Sequence, residues 1–80
     1  MVLRGCISSV MYPDAGNNPQ FEAILDDGSG AARIVWMGVR NIAGIQQGSK
    51  ISVDGFVSVK NNALVMFNPA YRLLPQKEEV

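Results

Sequence analysis

The stretch FEAILDDGSGAARIVWMG, residues 21 to 38, decides the fold class. Phe21, Ala23 and Leu25 alternate with Glu22, Ile24 and Asp26. After a glycine-bearing break, Ala32, Ile34 and Trp36 alternate with Arg33, Val35 and Met37. A strict period of two means that each segment is a strand with one apolar face, and the short break makes the pair an antiparallel hairpin. The phase places Trp36 with Ile34 and Ala32, hence in the core. Asp26-Asp27-Gly28-Ser29-Gly30 invites a metal or phosphate reading, but it is too short for a calcium loop of about 12 residues. No lysine follows it as in a phosphate loop. It reads as a turn in which Asp27 accepts from amides two residues on, Gly28 or Gly30 takes positive φ, and Asp26 is solvated.

Working outward, residues 2–12 (VLRGCISSVMY) form a first strand whose apolar phase switches near Ser8-Ser9, the mark of a bulge. Residues 13–20 (PDAGNNPQ) are a loop. In residues 39–48 the period of two stops, and Ile42 with Ile45 predicts one short helical turn ended by Gly48. Residues 49–60 alternate again, with Ile51, Val53, Val57 and Val59 inward and Lys50, Ser52, Asp54, Phe56, Ser58 and Lys60 outward. Gly55 falls in the inward phase, where a strand kinks or another backbone approaches. Asn61-Asn62 is a tight turn, and ALVMFN returns as a fifth strand that Asn68-Pro69 ends. Residues 1–75 form one domain and 76–80 a charged tail. The expectation is all-β: a five-stranded Greek-key OB-fold barrel with a short helical turn between strands 3 and 4.

Eighty residues with 48% apolar side chains supply one core, not two. Seven Lys/Arg balance seven Asp/Glu with no histidine, so no net field attracts a polyanion and any nucleic-acid binding rests on a few placed cations. One cysteine, Cys6, excludes an internal disulfide, and with histidine absent it excludes the usual zinc sets. A reduced, cytoplasmic setting is expected. No run approaches the roughly 20 apolar residues of a membrane span. No serine, carboxylate or thiol has a partner set for nucleophilic or acid–base chemistry, so neither catalysis nor a cofactor is expected.

Three motifs occur in order: FEAILDDGSG, RIVWMGVRNIAGIQQGSKISVDGFV and ALVMFNPAYRLL. Together they resemble the small actinobacterial-type OB-fold nucleic-acid-binding domain proteins, and more distantly the wedge OB domain of RecG-like helicases. The resemblance is carried by Asp27-Gly28-Ser29-Gly30, by Trp36 and Gly38, and by Arg40, Ile42, Gly44 and Ile45. It continues through Gly48, Val53 and Gly55 to Asn68, Pro69 and Tyr71. It implies an OB barrel and nucleic-acid binding. Val39 and Phe56 stand where such sequences often carry a cation.

The outward phase of strands 2 and 3, the face on which OB folds bind oligonucleotides, reads Glu22, Ile24, Asp26, Arg33, Val35 and Met37. It offers one arginine, two carboxylates and no aromatic. Two functions follow as expectations. The first is weak, salt-sensitive binding of single-stranded DNA or RNA through Arg4, Arg33, Arg40, Lys50 and Lys60, with Phe56 stacking. Three phosphate contacts would give a log-log salt slope of only about −2. The second is a protein interface, or self-association into a homo-oligomer, through Ile24, Val35, Met37 and Phe56.

Overall fold

The computed structural model describes residues 1–12 and 19–75. The loop expected over 13–20 lies mostly outside them, and the tail at 76–80 entirely. Among the described residues, seven strands form one mixed sheet: β1 (Val2–Met11), β2 (Gln20–Asp26), β3 (Ala31–Met37), β4 (Lys50–Asp54), β5 (Val57–Lys60), β6 (Ala63–Phe67) and β7 (Ala70–Leu73). Their order is β5-β6-β3-β2-β1-β4-β7. All neighbours are antiparallel except β3 and β6.

That order implies strong curvature. β4 and β5 stand five places apart in the sheet, roughly 24 Å if it were flat, yet only Gly55 and Phe56 join them. Three peptide links reach at most about 11 Å. The sheet must therefore curl enough to bring the start of β5 within that distance of the end of β4, although no ladder joins the two among the described residues. The concave side holds the core: Leu3, Ile7, Phe21, Ala23, Leu25, Ala32, Ile34, Trp36, Ile45, Ile51, Val53 and Met66. Tyr12 packs on Phe21, Phe21 on Trp36, and Trp36 edge-on to Tyr71, with ring centroids 5.5, 5.9 and 5.9 Å apart. The Trp36 indole N–H donates to the Pro69 carbonyl at 3.2 Å. Trp36 is thus a core residue with its one polar atom satisfied.

The bulge in β1 falls where the phase switch placed it: Ile7 faces Leu25, but Ser9 faces Ile24, leaving Ser8 unopposed. At Gly5 the chains come closest. A Cβ there would run into the Asp26 carbonyl, its carbon only 2.8 Å away. The β2–β3 turn is built by its aspartates. Asp27 Oδ1 accepts from the Ser29 amide, the Ser29 hydroxyl and the Gly30 amide at 2.9, 2.9 and 3.0 Å. These donors, led by the Ser29 amide, hold the Asp27 carboxyl below its ordinary range. Asp26 is not merely solvated, because its Oδ1 accepts from the Gly28 amide at 2.9 Å.

Three expectations are corrected. Five strands become seven because Gly55-Phe56 bends one segment and Asn68-Pro69 the other. The pairing runs from Lys60↔Ala63 to Val57↔Met66, then resumes from Asp54↔Ala70 to Ile51↔Leu73 with one extra residue on the second segment. Asn68, at φ 50, turns the chain at that point. Pro69 interrupts the ladder without ending it. No helical turn stands between β3 and β4: two separate turns do, closed by Ile45 N–H to Ile42 O and by Ser49 N–H to Gln46 O. Gly44 and Gly48, at φ 89 and 94, reverse the handedness before a helix can propagate. Finally, Val59 is 68% exposed although in the inward phase, because it lies on an edge strand, β5, which pairs only with β6 among the described residues.

Candidate functional site

Pairing of β6 alongside β3 adds residues to the outer face of the hairpin. In register across the sheet, Glu22 neighbours Val35 and Val35 neighbours Phe67, while Ile24 neighbours Arg33 and Arg33 neighbours Val65. Ser58 and Lys60 of β5 continue the rows beside Val65 and Ala63. A shallow groove of about 350 Å³ follows this face, lined by Gln20, Arg33, Val35, Lys60, Asn61, Ala63, Val65 and Phe67.

Its polar wall is an ion pair. Arg33 Nε donates to Glu22 Oε1 at 2.8 Å, and Nη2 stands at the same distance from that oxygen. Gln20 Nε2 donates to the other Glu22 oxygen at 2.6 Å. The hydrogen bond from Arg33 is the main reason that the Glu22 carboxyl lies below its ordinary value, and Glu22 in turn raises Arg33. The opposite wall is apolar and cationic: the Lys60 ammonium sits 5.5 Å from the centroid of the Phe67 ring, within cation–π range. Phe67 remains 41% exposed.

The expected site residues therefore divide. Arg33 and Lys60 share the groove. Arg4 and Lys50 lie on β1 and β4, outside the groove. Arg40 belongs to the β3–β4 connection. Phe56, 94% exposed, sits at the bend between β4 and β5 and lines none of this groove. The four proposed interface residues do not form one patch. Val35 is only 1% exposed, because Glu22 and Phe67 flank it in register. It is groove floor and cannot be a contact residue. Ile24 is half-buried, while Met37 is 55% exposed at the end of β3.

An aromatic on this face is the main correction to the sequence reading. Phe67 was legible in principle: in ALVMF, Leu64 and Met66 share one phase, and Val65 and Phe67 the other. What the alternation does not specify is that β6 lies beside β3, which brings that outward phase next to Arg33.

No family model, curated protein or solved structure matches this chain. The geometry above is accordingly the ground for any functional reading. Among the described residues, no helix is long and apolar enough to cross a membrane.

Proposed function

We propose that the chain is a non-catalytic OB-type module that binds single-stranded DNA or RNA weakly, through the outer face of β2, β3, β5 and β6. The observation that carries this reading is that Arg33, Lys60 and the half-exposed Phe67 line one groove, with the Lys60 ammonium over the Phe67 ring, so that a base stacking there displaces the ammonium toward its own phosphate. Supporting the fold assignment, β4–β5 and β6–β7 can be read as two long kinked strands. The pairings β1–β2, β2–β3, parallel β3–β6, β6–β5 and β4–β1 then follow the five-stranded Greek-key barrel. The motifs shared with small OB-fold nucleic-acid-binding domain proteins favour the same assignment, and a reduced, cytoplasmic location fits the free Cys6.

A single base stacked on Phe67 contributes about 1–3 kcal/mol. Lys60 gives one phosphate contact while Glu22 holds Arg33, so the single-strand salt slope is about −0.7, and two free cations would bring it to about −1.4. Fluorescence anisotropy with a labelled oligothymidylate, at low and at physiological salt, tests this. Binding at low salt that fades near physiological salt, and weakens about 5- to 150-fold in F67A, is the expected result. Absence of binding at low salt would remove the proposal.

A second reading, a protein contact, is favoured by one observation: Phe56 is 94% exposed, and Met37 is 55% exposed. Sedimentation of the chain to high concentration addresses its self-association form, and a strict monomer counts against it.

A further inference from the structure

We infer that a second anion site, shaped for a phosphate group, lies on the outer face of β1, β4 and β7, where Arg4, Ser52 and Arg72 stand in one cross-strand row. The register places Arg4 opposite Ser52 on one side of β4 and Arg72 opposite Ser52 on the other. All three side chains share that face because cross-strand partners point the same way. The two arginine Cα atoms are then about 10 Å apart, two inter-strand spacings, and each guanidinium can lean inward over the hydroxyl. A hollow of about 310 Å³ occupies this place, with Arg4, Ser52 and Arg72 in its lining.

The chemistry of the row differs from that of the groove. Arg33 is engaged by Glu22, whereas Arg4 and Arg72 have no ion pair and Ser52 no side-chain hydrogen bond among the described residues. Two guanidiniums and a hydroxyl, all able to donate, line one hollow, and among the described residues no ion pair holds either guanidinium. Two planar forks suit a tetrahedral oxyanion better than a carboxylate, which one arginine already saturates. One carboxylate borders the hollow, Asp54, and the terminal ammonium of Met1 stands 3.6 Å from it. Two guanidiniums against this one carboxylate leave the hollow net positive. The site stands apart from the Arg33–Lys60–Phe67 groove and does not rest on that groove's function. Its ligand is a phosphate group, held either on a small phosphorylated molecule or in a nucleic-acid backbone.

The test uses the whole chain with labelled arginine side chains, observed by NMR during titration with sodium pyrophosphate against sodium chloride of matched ionic strength. Saturating shifts of the Arg4 and Arg72 Nε–Hε signals and of the Ser52 amide are expected. Affinity should fall about tenfold or more for R4Q and again for R72Q. S52A, which leaves both charges in place, should lose less. In a parallel arm, oligothymidylate is titrated into F67A protein: shifts at the same groups identify a backbone phosphate, whereas a response to pyrophosphate alone identifies a small phosphorylated ligand. No saturating response in either arm, or an equal response in folded R4Q/R72Q protein, overturns the site.

Discussion

Replacing Glu22 by glutamine should strengthen single-strand binding, although it deletes the Arg33–Glu22 salt bridge. Glu22 Oε1 holds both Nε and Nη2 of Arg33 at 2.8 Å, so a phosphate must approach that guanidinium against a carboxylate already on it. With the phosphate about 7 Å from the carboxylate, the repulsion is roughly 0.6 kcal/mol in water and about 2.4 kcal/mol at an effective dielectric of 20. E22Q removes it and so raises affinity by about 3- to 50-fold. It also frees a second full cation, which steepens the log-log salt slope by about 0.7. Stability should fall by no more than about 1 kcal/mol, since the arginine side chain is 50% exposed. Anisotropy titrations of wild type and E22Q at four or five salt concentrations read both quantities. Unchanged affinity with parallel slopes, in a protein whose urea midpoint shows it folded, would refute the placement of the strand over Arg33.

Three further outcomes follow from the same geometry. Because the Glu22 carboxyl is lowered on folding, its stabilisation is complete above the unfolded carboxylate value of about 4.3 and disappears as pH falls through the lower folded value. Urea midpoints of wild type and E22Q should therefore differ near neutrality and converge in acid. Gly5→Ala drives a methyl into the Asp26 backbone carbonyl, which cannot yield as a side chain would. A loss of about 1–3 kcal/mol is expected in urea unfolding, and an unchanged midpoint would contradict the close β1–β2 approach. Asn61 and Asn62 sit at φ 52 and 64, so Asn62→Ala should cost about 1 kcal/mol while Asn62→Gly is close to neutral. Equal thermal midpoints for the two variants would contradict the turn.

The β2–β3 hairpin was readable from the sequence because its strict alternation is local and unbroken within each strand, from Phe21 to Asp26 and from Ala31 to Met37. The bulge at Ser8 and the burial of Trp36 follow from the same local rule. What escaped the reading depends on pairing partners distant along the chain. Val35 is outward by phase and buried in fact, since Phe67, thirty-two positions on (67 minus 35), flanks it through the parallel β3–β6 ladder. The same pairing moves an aromatic onto a face that strands 2 and 3 alone leave without one. The three-residue spacing of Ile42 and Ile45 fits a helical turn or one of two successive turns equally well, and the positive φ of Gly44 and Gly48 selects the turns. Arg72 joins Arg4 only through β4, which neither short motif specifies.

Photo-cross-linking tests the central claim most directly. A single strand carrying 5-iodouracil is bound at low salt, irradiated, and the adduct located by peptide mapping. Stacking in the groove predicts an adduct on Phe67, reduced in parallel with binding when Lys60 is replaced by glutamine. An adduct confined to Phe56 or Tyr12, or none despite measurable binding, would contradict the account.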